Sequence, residues 1–290
     1  MKPILGGFVT CRPKPIELAC GKEQGLTLLS DLHLGAPNVN LSLIKRELRN
    51  ARRRQDRILI NGDVFDGILH SDAKRFSPDV LHPRLQGRRD VLNSAVDWAV
   101  EIFKPYAALI DVIGIGNHES ALEKHHSFDP TKVLVRQLQK LAKPSGHTVH
   151  YGGFTGYVHY RISGIPWVLY YHHGSGGASL SNRGISDFDR KNQFVSADCI
   201  WMGHKHHRWT AHVRRIECPD HGEGPLVKDV RYIMTGAYLH TYTGQSQRSL
   251  RKNGRRTNYA ADAGYPTQGQ GGARVVLRRG KCGLEAKVEM

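Results

Sequence analysis

No stretch of this 290-residue chain approaches the ~18 consecutive apolar residues that a membrane-spanning helix needs, so membrane insertion is not expected. The first residues, Met1 to Lys22, are broken by Pro3, Pro13 and Pro15 and hold no apolar h-region, so no secretory signal is expected either. Cysteine is sparse: Cys11, Cys20, Cys199, Cys218 and Cys282 are odd in number and follow no zinc spacing. They read as reduced thiols of a cytoplasmic protein. Cys218-Pro-Asp-His221 has the look of half a metal site, but a core thiol beside a surface histidine accounts for it as well. There is no internal repeat. Acidic residues are scarce, 26 against 42 Lys and Arg, for a formal charge of +16 and a pI near 9.8. That excess favours polyanionic partners, nucleic acid first and an anionic membrane surface second. With 39% hydrophobic and 23% charged residues the chain is neither disordered, collagen-like nor a coiled coil. Its length supports a full core without disulfides or structural metals.

Short apolar runs alternate with amphipathic stretches. Leu26–Leu29, Arg57–Ile60 and Leu109–Ile115 read as strands. Residues 41–55 read as a helix, with Leu41, Ile44, Leu48 and Ala51 at helical period. Further helices are expected over 90–103 and 131–141, with a long irregular loop over 67–89. After Ser145 strands dominate, at 158–162, 167–171, 199–202, 210–216, 230–235 and 274–277, interrupted by a short helix near 186–196. This pattern suggests a layered α/β domain with two sheets. It is expected to span 23–290 as one unit after an N-terminal extension, 1–22. Residues 241–272 hold six glycines, five Lys/Arg, three tyrosines and one acid, Asp262, and read as an inserted basic, Gly-rich loop.

Five polar clusters each follow an apolar strand directly: Asp31-Leu-His33, Gly62-Asp63-Val-Phe-Asp66, Gly116-Asn117-His118-Glu119, His172-His173-Gly174 and Gly203-His204-Lys-His206. Side chains from several strands converge at the C-terminal ends of α/β sheets. Two aspartates, one asparagine and four histidines (one of them either His172 or His173) suit two divalent ions of hard to borderline character, Mn²⁺, Fe²⁺ or Zn²⁺. The lack of cysteine argues against a purely structural zinc. One such cluster means little; five in order along the chain would need five coincidences.

This order of motifs, over residues 31 to 206, resembles the calcineurin-like metallophosphoesterase superfamily, and no expected ligand is missing. The resemblance implies a four-layer α/β/β/α sandwich of two mixed sheets with a two-metal centre, most readily manganese, between them. It implies that Asp31, His33, Asp63 and His206 hold one metal. Asp63, Asn117, His173 and His204 would hold the other, with Asp63 bridging. His173 is preferred to His172 because the family's ligand directly precedes glycine. The implied reaction is hydrolysis of a phosphate ester by a hydroxide between the metals. His118 would protonate the leaving group and Asp66 would orient it, while Asp66 and Glu119 serve equally well as hydrogen-bonding supports.

Gly67 stands where protein Ser/Thr phosphatases have arginine. Ser30 to Gly35 and Asn61 to Asp66 look like the bacterial lipid-A-pathway pyrophosphohydrolases, but those carry arginine at the position of His118. Nuclease members keep the histidine, though their extra domains are not found in this chain. Charge then suggests the substrate. Helix 41–55 carries six Lys/Arg against Glu47, and the loop interleaves Arg248, Arg251, Lys252, Arg255 and Arg256 with Tyr242, Tyr259 and Tyr265. Such mixtures suit phosphate contact and base stacking. The expectation is a phosphodiesterase or nuclease acting on nucleic acid. The alternatives are a phosphomonoesterase for nucleotides or phosphoproteins, and a non-catalytic scaffold.

Overall fold

The computed structural model describes residues 9–19, 21–66, 81–177, 182–217, 224–240, 269–280 and 283–290. Its first sheet has β2 (Glu23–Leu29), β3 (Arg57–Ile60), β4 (Ile110–Ile113) and β5 (His150–Tyr151) in parallel. On the far side of β2 it adds antiparallel β11 (Ala273–Gly280) and β12 (Gly283–Glu289). The second sheet runs β1 (Val9–Cys11), β6 (Thr155–Ile162), β7 (Ile165–His172), β8 (Cys199–Met202), β10 (Leu226–Met234) and β9 (Trp209–Glu217). In it β7, β8 and β10 are parallel, while β6 and β9 are antiparallel to their neighbours β7 and β10. Both sheets are therefore mixed. β1, from the stretch ahead of residue 23, pairs in parallel with β6, and Ile16 continues along the same edge.

Burial along β2 is nearly continuous from Gln24 to Leu29, as expected of a strand covered on both faces. Leu26 and Leu28 face the other sheet, packing with Leu59, Val112, Leu169, Tyr171, Trp201 and Ile233. Leu29 faces the helices, with Ile58, Ile60 and Ile113. Three helices form that outer layer: α1 (Leu41–Arg54), α2 (Val91–Phe103) and α4 (Pro130–Ala142). Each starts where a side chain caps its first turn: Asn40 accepts from Leu43 N, Asp90 from Asn93 N and Asp129 from Lys132 N. α1 stops at Gln55, whose left-handed backbone turns the chain into β3.

The fourth layer is α5 (Ile185–Asn192), whose Phe188 is fully buried against Tyr170, Ile200, Met202 and Tyr232. The Phe188 and Tyr232 rings stack at 5.2 Å. Truncating such a residue to alanine costs about 3–5 kcal/mol. The order is thus α/β/β/α, as the motifs imply. Four elements depart from the expected pattern: β1, β5, β12 and α3 (Asn117–His126), which puts the Gly-Asn-His-Glu cluster on the first turn of a helix. Cys11 and Cys199 are buried and free. Cys218 and His221 lie outside the described residues. Among those described, no helix is long and apolar enough to cross a membrane.

Candidate metal centre

The carboxyl ends of β2, β3 and β4 in one sheet meet those of β7 and β8 in the other. Backbone bonds lace the turns together: Asp31 N donates to Gly62 O, His33 N to Asp63 O and Gly203 N to His173 O. The turns are sharp. Asp31, His33, Asp63, His204 and His206 all hold φ between 47° and 68°. Gly62 is needed here: its φ is +72°, and a Cβ would lie 2.6 Å from Gly116 N and His173 Nδ1.

These turns gather three overlapping groups of donor atoms: Asp31, His33 and His206; Asp63, His173 and His204; and, between them, His33, Asp63 and His118. In each, the atoms lie within 4.8 Å of one another. His33 Nε2 and His206 Nε2 face each other at 3.3 Å, and His206 Nε2 is 3.5 Å from Asp31 Oδ1. His173 Nε2 is 3.2 Å from both Asp63 Oδ2 and Asn117 Oδ1, and His204 Nδ1 is 2.7 Å from the same amide oxygen. All seven residues expected to be ligands are therefore brought to one place. His172 is not among them: its Nδ1 accepts from Gly174 N.

Imidazole nitrogens of His33, His173, His204 and His206 converge on one another and on the buried carboxylates of Asp31 and Asp63, a donor set that fits divalent metal ions. Burial pushes Asp31 upward, but the hydrogen bond and charge of His206, with His173, hold its carboxyl below the ordinary range. Asp63 is also held down, by His173, His118 and His33 against the effect of burial. Burial pushes the His173 ring down, but Asp63 outweighs it and the imidazole rises to about 9. Burial and the neighbouring Lys191 take His172 down to about 4.

Asp66 sits beside two rings, with Oδ1 3.5 Å from His33 Nδ1 and 3.8 Å from His118 Nδ1. His33 Nδ1 is buried with no hydrogen bond. His118, on the first turn of α3, is the more open of these two rings. Glu119 is 1% exposed and accepts from the backbone N–H of Asp63, Phe65 and Gly116 at 3.0, 3.0 and 2.7 Å. Burial first, then the charge of Asp63, lifts its carboxyl to about 7.

Sequence reasoning missed the support behind Asp31. Ser30 Oγ makes a short hydrogen bond to Asp31 Oδ2 and meets Thr235 Oγ1 at 2.7 Å, and Trp201 Nε1 donates to the same threonine oxygen at 2.9 Å. This buried chain joins the two sheets beneath the site. The only hint in the sequence is that Ser30 directly precedes Asp31.

Arg248, Arg251, Lys252, Arg255 and Arg256 lie outside the described residues. The chain on either side of that loop is fixed close to the site. His240 N donates to Asn38 O and Asn40 Nδ2 to Gln270 Oε1, while Tyr238 N donates to Asp31 O. A cavity of about 1340 Å³ opens between β9–β10 and β11–β12 at the other end of the strands, lined by Glu23, Arg214, Val227 and Glu289 among others and by none of the clustered residues.

Residues 26–223 match the sequence model of the calcineurin-like phosphoesterases. Similar solved structures include a conserved protein from Streptococcus pneumoniae TIGR4 described as a predicted phosphoesterase, at 10% identity, 92% of this chain, 89% of that one and a TM-score of 0.34. Vps29 complexed with zinc from Entamoeba histolytica is 10% identical over 92% of this chain and 97% of that one, with a TM-score of 0.34. A metallophosphoesterase from Sphaerobacter thermophilus is 15% identical over 92% and 89%, with a TM-score of 0.33. No protein of curated function matches the sequence.

Proposed function

We propose, from the premise that this chain belongs to the calcineurin-like phosphoesterase family, that it is a hydrolase of phosphodiesters acting on nucleic acid with two divalent cations. Asp31, His33, Asp63 and His206 would hold one cation, and Asp63, Asn117, His173 and His204 the other. Manganese is the first candidate, ahead of iron or zinc, since carboxylate, amide and imidazole together make a harder donor set than a thiolate site. When bound, such a pair supplies Lewis acidity that acidifies water and neutralises phosphoryl oxygens.

The chain's own residues do the rest. Asp63 belongs to two of the donor groups, which suits it to bridge the cations. Asn61 O, 2.9 Å from His173 Nδ1, takes that nitrogen's proton in a hydrogen bond and leaves Nε2 to face the cluster. His118 gives its proton to the leaving oxygen, and Asp66, with Oδ1 3.8 Å from its Nδ1, orients the ring. The N-terminal turn of α3, where His118 sits, favours negative charge. The observation that carries the reading is the convergence of seven donor side chains from five strand ends, with Asp63 shared. Scaffolds on this fold would not need the full set. The net charge of +16 and the basic residues Arg248, Arg251, Lys252, Arg255 and Arg256 support a nucleic-acid substrate.

The test is a substrate panel with Mn²⁺: p-nitrophenyl phosphate, bis-p-nitrophenyl phosphate, cyclic nucleotides, and single- and double-stranded DNA. Diester and DNA cleavage is expected. It should be abolished in Asp63→Asn along with at least one metal per chain, measured by elemental analysis. Cleavage of the monoester alone would replace this reading with a phosphomonoesterase. Binding of DNA without any turnover would replace it with a scaffold.

A further inference from the structure

α1 has two faces of opposite character. Leu43, Ile44, Leu48 and Ala51 are buried in the core. Lys45, Arg46, Arg49, Arg52 and Arg53 are all exposed. At 100° per residue these five fall within an arc of about 120°, along about 12 Å of helix axis. The helix's one acid, Glu47, is turned away from them, accepting from Tyr238 OH and Gly272 N. Among the described residues none of the five makes an ion pair or a side-chain hydrogen bond. Several cations on the strands are paired instead: Arg214, Lys228, Arg231, Arg274, Arg278 and Lys287 each have a carboxylate within 4 Å.

Complementing the helix dipole accounts for Arg52 and Arg53, which lie in the last turn, but not for Lys45, Arg46 and Arg49. Like charges three and four residues apart repel, so the isolated helix gains nothing from the arrangement. A partner with closely spaced negative charge does. Five cations spanning about 12 Å of axis are spaced ~3 Å apart, near the ~3.4 Å between charges along one strand of a DNA duplex. A lipid surface fits less well. An interfacial helix must offer an apolar face to the bilayer, and α1 has committed its own to the core. The exposed arc has no aromatic ring with which to stack or read bases.

The helix also starts beside the candidate site. Asn40, its N-cap, donates its backbone N–H to Tyr238 O, and Tyr238 N donates to Asp31 O. We propose that the outer face of α1 is a docking surface for a phosphodiester backbone, outside the hydrolytic centre and indifferent to base sequence. It rests on the phosphodiesterase reading for what the docked strand is held for, but not for the binding itself.

The experiment is fluorescence anisotropy of the metal-loaded full chain with labelled phosphorothioate DNA, which keeps the backbone charge and resists cleavage, over a series of salt concentrations. The variant Lys45→Gln/Arg46→Gln/Arg49→Gln/Arg52→Gln/Arg53→Gln should lose about 4.5 from the slope of log affinity against log salt on a duplex, and about 3.5 on a single strand. Over a fourfold rise in salt, a slope of 4.5 amounts to about a 500-fold change in affinity. Arg46→Lys/Arg49→Lys/Arg52→Lys/Arg53→Lys, which keeps the charge, should retain the wild-type slope. If the fivefold variant folds poorly, Lys45→Gln/Arg46→Gln/Arg49→Gln should still lose about 2.7 on a duplex. A slope altered by less than about one, or affinities that follow base sequence, would overturn the proposal. So would loss of binding to phosphatidylserine vesicles with DNA binding intact. Because no hydrolysis is measured, an inactive substrate panel and a failed docking surface give separate results.

Discussion

Filling the cluster with metal should expel a proton from His173. Burial opposes charge on this ring. Asp63 Oδ2 at 3.2 Å from Nε2, with Asp31 and the Asn61 carbonyl behind it, outweighs burial and raises the imidazole to about 9. At pH 7 the metal-free chain therefore carries a charged His173, and a metal ligand must be neutral. Removing that proton two pH units below 9 costs about 2.7 kcal/mol, so apparent metal affinity at pH 7 should be ~50-fold weaker than at pH 9, where half of the rings have already lost it. His206 adds a further contribution: although burial opposes it, Asp31 raises this ring too. His204 is lowered, by burial and by His173, and adds none. Folding has the opposite trend. A histidine raised from its ordinary 6.5 to about 9 gives its full stabilisation below about pH 6.5 and loses it as pH rises through 9. The metal-free protein should lose about 3 kcal/mol over that window while its appetite for metal grows. Calorimetric titration with Mn²⁺ in two buffers of different ionisation enthalpy counts the protons. One proton or slightly more is expected at pH 7, with affinity rising about tenfold per pH unit at first and less steeply towards 9. Release of less than half a proton at pH 7, with flat affinity from 7 to 9, would mean that His173 is neutral and the argument is wrong.

His118→Asn should keep both metals yet lower kcat by ~10²–10⁴, the usual loss for a general acid; the deficit should shrink for nitrophenyl esters, and an equal loss on poor and good leaving groups would remove His118 from that role. Glu119→Gln sets an amide NH₂ against one of three buried backbone donors, so urea unfolding should show a loss of about 1–3 kcal/mol with an unchanged m-value, and a midpoint equal to wild type would contradict the bonding. Replacing Arg248, Arg251, Lys252, Arg255 and Arg256 with glutamine should flatten the salt dependence of nucleic-acid binding by up to about 0.9 per residue on a duplex, and an unaltered slope would show that these side chains do not reach the backbone.

The strand-end clusters are legible in the sequence because each is a polar group placed directly after an apolar run, as in Leu59-Ile-Asn-Gly-Asp63. α1 and α4 show their helical period clearly. α3 does not: only Glu119 and Leu122 are buried along it, so no apolar stripe marks a helix, and its first turn reads as loop. β5 is two residues long and β1 three, too short for any period to emerge. β12 is a different case. Leu284, Ala286 and Val288 alternate with Glu285, Lys287 and Glu289, a two-residue period that a strand reading ending at Leu277 passes over. The link from Ser30 through Thr235 to Trp201 spans 205 residues between its first two members and exists only once the sheets face each other. Asp66 illustrates the limit of motif reasoning. Its sequence position pairs it with His118, yet His33 is the nearer ring.

Asp31, His33, Asp63, His204 and His206 occupy a backbone region that glycine enters freely and other residues enter at a cost of roughly 1 kcal/mol each. Together that is about 5 kcal/mol, comparable with the lower end of a domain's whole stability. Selection for folding alone would have put glycine at these turns. At Asp31, Asp63 and His206 a glycine would also forfeit a carboxylate–imidazole pairing worth more than that relief, so the relief should show at His204, whose ring is only partly buried. His204→Gly should therefore melt later than wild type in the absence of metal, while binding metal worse. A side chain whose loss weakens metal binding yet makes the metal-free protein sturdier is thereby marked as a ligand without any assay of chemistry.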